Sequence, residues 1–252
     1  MKTTPPHLRR RRAGFTIVEL LVVISVIAIL ASLLLPVLST VTRKAKETKA
    51  KLEARDIATA IQGYDSAYGR FPVSAAAQAA ANPDFTYGGT FQTPGAPVKI
   101  GTVVGGSVLN NAEVVAILMD VTNYLYPGGG WTVNTNYQKN PQQTIFLNAK
   151  MSGDTSSPGV GTDLVYRDPW GNPYIITMDL NYDEMCKDTF YCSNSVSGGG
   201  LNGLINSDVP STTDNWQYRG KVMVWSAGSD GKIDGSVPAN QGANKDNILS
   251  WK

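Results

Sequence analysis

The sequence predicts an α+β fold in which one long N-terminal helix, half apolar and half amphipathic, packs on a small antiparallel sheet. Three observations carry that expectation. Residues 15–35 form an apolar run that only Glu19 and small hydroxyl residues interrupt; residues 50–68 carry a one-sided apolar stripe at helical spacing; and short β-rich segments gather in the last third, between Pro and Gly turns. The 252 residues are 42% hydrophobic and 17% charged. That balance allows one membrane segment and one folded domain, and disorder is not the default.

The apolar run has the ~20 residues a helix needs to cross a bilayer at ~1.5 Å per residue. No A-x-A site follows it, so removal by an ordinary signal peptidase is not expected. Lys2, Arg9, Arg10, Arg11 and Arg12 precede Gly14 and no acid does, which holds that end in the cytoplasm and sends the rest outward. Glu19 is the anomaly, because an unpaired carboxylate at mid-bilayer costs roughly 2.5 to 3.5 kcal/mol. Past the membrane, Arg43 to Arg55 is interleaved with Glu47 and Glu53. Its i,i+4 pairs Arg43–Glu47, Glu47–Lys51 and Lys49–Glu53 read as a solvated helix face. Ala50, Ala54, Ile57, Ile61, Tyr64 and Tyr68 continue the helix as one stripe that stops at Gly69, while Pro36 should kink it or melt it locally.

From Phe71 to about Val160 the composition turns to Gly, Ala, Asn, Thr and Pro. Asn111 is a candidate N-cap for a helix over AEVVAILMDVTNYLY, with Val115, Leu118, Thr122 and Leu125 on one face. PQQTIFLNAKM (141–151) is open between a short helix and a strand. DLVY (163–166) and PYIITMD (173–179) flank DPWGN and suggest a hairpin, which KVMVWSA (221–227) can join. The sheet would cover the helix stripe, burying both apolar faces.

Composition also excludes chemistry. The one histidine, His7, lies before Gly14, so a chain starting at Phe15 has none for a triad or a zinc site. Such a chain keeps 17 of the 22 basic residues against 20 acidic ones, a net −3, and no nucleic-acid partner is expected. P-loop, nucleophile-elbow and H-E-x-x-H patterns are missing, and adjacent loop acids such as Asp183 and Glu184 are usually just solvated, so no enzymatic activity is expected. Cys186 and Cys192 bound the CKDTFYC loop. In an exported domain a short disulfide is the expectation and two free thiols the alternative.

Gly14, Phe15, Thr16, Ile17, Val18, Glu19 and Leu20, behind a basic leader and ahead of a long apolar helix, resemble the prepilin signature of type IV pilins and type II secretion pseudopilins. The resemblance implies a pilin-like fold, cleavage by a prepilin peptidase between Gly14 and Phe15, and N-methylation of Phe15. Glu19 would then pair with the new terminal amine of a neighbouring subunit and set axial register in a helical filament. A plain anchor, with Glu19 snorkelling or protonated, is the other reading. The implied organisation is a leader (1–14), a transmembrane and assembly half-helix (15–36), an amphipathic half-helix (37–70) and a globular domain (71–252). Within that domain lie a variable insertion (75–160) and a sheet with C-terminal loop (163–252).

GRFP (69–72), RDPWGNPY (167–174) and WSAGSDGKIDG (225–235) are similar to stretches of the major pseudopilin of type II secretion. That family holds calcium after its last strand, which implies a calcium-type loop here. Asp230, Asp234 and Asp246 offer hard oxygen ligands, with Asn247 or Asn244 and carbonyls near Ser226 completing the shell. The loop does not follow the EF-hand pattern, and an Asp-Gly turn that binds nothing is the alternative. The implied role is a subunit of a periplasmic pseudopilus, drawn from the bacterial inner membrane. Its partners would be further copies of itself, minor pseudopilins, the prepilin peptidase and the inner-membrane assembly platform. A type IV pilin or minor pilin, serving adhesion, motility or DNA uptake, and a membrane-anchored periplasmic binding module are the competing readings.

Overall fold

The computed structural model describes residues 14–126 and 128–252, excluding the side chains of 34–37. The leader residues Lys2, His7 and Arg9 to Arg12 lie outside the described residues, as does the Pro36 side chain on which the expected kink rests. Contacts divide the chain into two compact units, one ending at Lys44 and one running from Ala45 to Lys252.

The first unit is the apolar part of α1, a helix assigned over Ile17–Tyr68. Among the described residues its large side chains are exposed: Phe15 is 86% exposed, Ile17 80% and Leu33 66%. The hydroxyls within the run turn back on the helix, Ser25 donating to the Leu21 carbonyl at 2.7 Å and Ser32 to that of Ile29 at 2.7 Å. An apolar surface of this extent is not sustained in water. With its polar groups satisfied internally, the segment meets the requirement for residence in lipid.

In the second unit α1 is amphipathic. Of the expected stripe, Ala50, Ala54, Ile57, Ile61 and Tyr64 are fully buried and Tyr68, its last member, is partly buried. The helix ends where expected: Gly69 takes φ +63°, a left-handed conformation that suits glycine, and its N–H closes on the Asp65 carbonyl at 2.7 Å. Lys49 and Glu53 form one of the expected pairs at 3.7 Å. The short helix α2 (Ala75–Ala80) follows, capped by Ser74.

The central sheet is antiparallel, in the order β1 (Phe85–Tyr87), β8 (Ile175–Met178), β11 (Val222–Ser226) and β12 (Ile248–Leu249). Two-stranded ribbons surround it: β2 (Gly89–Phe91) with β3 (Val98–Ile100), β4 (Val103–Val104) with β5 (Ser107–Val108), β6 (Gly159–Val160) with β7 (Tyr166–Arg167), and β9 (Met185–Cys186) with β10 (Tyr218–Arg219). The fold is α+β, a long N-terminal helix packed on small antiparallel sheets.

Alternation along β8 and β11 feeds two cores. Ile176, Met178, Val222 and Val224 join the helix stripe, Phe85 and Tyr87 on one face. Ile175, Met223 and Trp225 point the other way, onto Cys186, Phe190, Tyr191, Val196, Leu204 and Trp216. The central sheet is thus covered on both faces, and the segment around the two cysteines forms the second cover.

Three local expectations change. The helix after Asn111 is short: α3 covers Ala112–Leu118, and Asp120 at φ +57° ends it, leaving Thr122 and Leu125 off its face and Leu125 exposed. Asn111 is not a side-chain cap; its buried amide donates to the carbonyls of Tyr166 (3.0 Å) and Tyr174 (2.8 Å) and accepts the Tyr166 N–H (2.8 Å). Residues 143–150 form neither helix nor strand. The hairpin around DPWGN is short, an Arg167–Pro173 bridge and a Tyr174 N–H to Tyr166 carbonyl bond at 3.0 Å, and β11 joins β8 as expected.

Candidate functional site

Two regions hold the residues singled out above. The first is the start of α1. Gly14 and Phe15 are exposed and precede the helix, and Thr16 stands at its N-cap position. The Thr16 N–H and hydroxyl both donate to Oε2 of Glu19, at 2.8 and 2.9 Å, while the Glu19 N–H donates to the Thr16 hydroxyl at 3.2 Å. This reciprocal arrangement is a capping box. It satisfies donors at the helix start and places a negative charge against the positive end of the helix dipole. Compensation for Glu19 thus begins within its own chain, and the T-x-x-E spacing was the signal for it.

The second region is the end of β11 and the loop from there to β12, where the six expected residues fall into separate arrangements. Oδ2 of Asp246 accepts the Ser229 N–H (2.9 Å), the Ser229 hydroxyl (2.7 Å) and the Asp230 N–H (3.3 Å). Asp230 lies close enough to Asp246 to feel its charge; burial first, and that neighbour next, raise its carboxyl above the ordinary range. Asp234 sits in a turn of its own, accepting the Ser236 N–H (2.9 Å) and hydroxyl (2.6 Å), which lower its pKa. Asn244 braces that turn, accepting the Asp234 N–H at 2.8 Å and donating to the Asp234 carbonyl at 2.7 Å. Ser226 is buried, its hydroxyl donating to Asp168. Asn247 donates from Nδ2 to the Tyr191 hydroxyl at 3.0 Å, and its Oδ1 is buried with no hydrogen-bond partner.

The three acids therefore do not converge. Among the described residues no group of three or more His, Cys, Asp or Glu is placed to hold a metal. The sequence treated the acids as one set because loop spacing carries no direction, whereas Ser236 draws Asp234 aside. Asp230 and Asp246 share this glycine-rich turn, the Asp230 N–H donating to Asp246 Oδ2 at 3.3 Å, and both carry the hard oxygens a calcium-type ion takes, while the buried Asn247 Oδ1 is a further acceptor.

Cys186 and Cys192 are both free thiols. Cys186 is held in β9 and buried in the second core, while Cys192 lies in the following turn with its Sγ–H directed to the Thr189 carbonyl at 3.7 Å. The bridge expected between them is not formed, in keeping with the alternative of two separate thiols.

Residues missed from sequence connect this loop to the turn before β8. The fully buried Asp168 carboxylate accepts the N–H groups of Trp170 (2.8 Å) and Asn172 (2.9 Å), the Asn172 amide (3.2 Å) and the Ser226 hydroxyl. Asx turns are signalled by D-P-W-G-N, but a bond from residue 168 to residue 226 is not.

In comparisons with known proteins, residues 9–35 match the family model described as the prokaryotic N-terminal methylation motif. No curated protein and no solved structure matches the chain. The matched residues include the capping box and the exposed apolar start of α1, and the motif supports a membrane-anchored, type IV pilin-like protein, processed by a prepilin peptidase for pilus-type assembly.

Proposed function

We propose that the chain is a non-catalytic structural subunit of a type II secretion pseudopilus. Prepilin peptidase cuts between Gly14 and Phe15, the new amine of Phe15 is methylated, and the subunit is drawn from the bacterial inner membrane into a helical fibre. The observation behind this reading is the uncovered apolar start of α1 with one carboxylate, Glu19, presented from it. Oε2 of Glu19 takes both Thr16 donors, so Oε1 is the oxygen we assign to the terminal ammonium of an adjacent subunit. A charge pair of this kind specifies register rather than adding bulk stability.

Calcium is part of the proposal. Asp230 and Asp246, with Asn247 and backbone carbonyls near Ser226, would hold it; the Asp234 carboxylate and the Ser226 hydroxyl are committed elsewhere. When bound, the ion supplies positive charge that neutralises the two carboxylates and cross-links the ends of the loop. Binding to the folded chain alone raises stability by mass action, about 2.7 kcal/mol at a hundredfold excess over Kd.

A type IV pilin or minor pilin is the second reading. It is favoured by the insertion, where Trp131 (67%) and Ile145 (67%) are exposed as apolar surface suited to a partner.

Mass spectrometry of the native protein tests the processing. A chain beginning at methylated Phe15 is expected, and an intact leader would refute the scheme. Cross-linking of that protein together with core secretion components, rather than surface fibres, would separate the pseudopilus from the pilus.

A further inference from the structure

The acidic loop is held from outside itself. Asp168 is separated by nearly sixty residues from the loop it touches, yet its buried carboxylate receives the Ser226 hydroxyl at the end of β11. The same hydroxyl accepts the Gly228 N–H at 3.1 Å. Asn172, the last residue of the DPWGN turn, donates one amide group to Asp168 Oδ2 at 3.2 Å and to the Gly228 carbonyl at 3.0 Å. The Gly228 N–H is thus engaged by Ser226 and its carbonyl by the turn. Gly228 has φ +68° and lies so close to the Asp246 carbonyl that an added Cβ would collide with it. A continuous path therefore runs from Asp168 through Ser226 and Asn172 to Gly228, and from there to Asp246.

We propose that Asp168 is the positioning residue of this loop. It does not ligate a cation; it fixes Gly228 against Asp246, so that the Asp246 carboxylate holds the Ser229–Asp230 turn before any ion arrives. The geometry explains why a buried carboxylate is kept here: four donors converge on it, and a neutral residue could not accept them all. Residues behind a metal's own ligands set its affinity by orienting them, commonly by about 10- to 100-fold. The calcium part of this inference rests on the reading above; the loop-holding part rests on the hydrogen bonds alone.

The test uses the full chain in detergent, with Asp168→Asn as the principal variant. The amide can keep the Trp170 and Asn172 N–H bonds through its oxygen, while its NH2 opposes the Ser226 and Asn172 donors. Ser226→Ala and Asn172→Ala cut the path at later points and stand in if Asp168→Asn does not fold; Ser226→Thr restores the hydroxyl. In calcium-free buffer, hydrogen exchange at 228–230 should accelerate about tenfold or more, with exchange in β8 and β11 near wild type. Ser226→Thr should return it toward wild type. Unchanged exchange at 228–230 in folded variants would overturn the proposal. Calorimetric titration with calcium chloride should show affinity weakened about 10-fold or more in Asp168→Asn. Equal affinity in variant and wild type would also overturn it. If the wild type takes up no calcium, the metal reading fails and the exchange result alone decides the role of Asp168.

Discussion

The Tyr174 hydroxyl donates to Oε2 of Glu53 at 2.8 Å, joining the residue before β8 to the half-buried face of α1. Burial raises the Glu53 carboxyl above its ordinary range, while the Tyr174 bond and the Lys49 charge pull it down. Tyr174→Phe removes the donor and should cost about 1–3 kcal/mol in denaturant unfolding. A carboxyl with a raised folded pKa destabilises the fold when ionised, so the loss should be greater at pH 8 than at pH 4. An equal loss at both would exclude Glu53 as its origin.

At the start of α1, Glu19→Ala should be cleaved at Gly14 but leave no cross-linked ladder of subunits. Thr16→Ala removes a cap worth about 1 kcal/mol and the hydroxyl, one of the two donors that orient Glu19, so assembly should fall while cleavage persists. Thr16→Ser should restore it. Immunoblots for processed chain and cross-linked multimers read both effects, and full assembly of Glu19→Ala would refute the pairing.

Asp84 provides a pH dependence of its own. Its carboxyl accepts the N–H groups of Leu180 (3.1 Å) and Lys187 (2.6 Å), and burial first, with the charges of Asp179 and Asp183 adding, pushes it up from 3.8 to about 7. Its stabilising contribution is complete below the unfolded value of 3.8 and is lost as pH rises through about 7. Without calcium, the melting temperature should therefore fall from pH 4 to pH 8. Asp84→Asn should flatten that slope, and an unaltered slope would assign it to other groups.

The two thiols can be counted. Cys186 is buried and its pKa raised well above the usual thiol range; burial lifts Cys192 to about 11. Iodoacetamide at pH 8 should label the folded chain slowly, and two groups should react after unfolding without reductant. No reaction under those conditions would establish a bridge instead.

Much of this architecture was legible because it is periodic. The stripe from Ala50 to Tyr68 repeats every three or four residues, and burial follows it fully as far as Tyr64 and partly at Tyr68. Alternation likewise announced β11, and β-rich composition beside the DPWGN turn announced β8. What escaped depends on long-range geometry. Asn111 has the residue type and place of an N-cap, yet packing drafts its amide to the backbone of Tyr166 and Tyr174. Asp234 has the composition of a ligand, but Ser236, two residues on, occupies it. The second cover of the sheet draws Phe190, Val196, Leu204 and Trp216 from a stretch with no regular spacing, which no pattern could have flagged.

That second cover separates two sets of contacts in the molecule. Trp225 and Met223 rest on the outer layer, whereas Val222 and Val224, their immediate neighbours, rest on the helix side. Phe190, Val196, Leu204 and Trp216 therefore bear on Met223 and Trp225 and not on the α1 stripe. The α1 stripe and the outer coat thus share one sheet as a common wall, each resting on alternate residues of the same two strands.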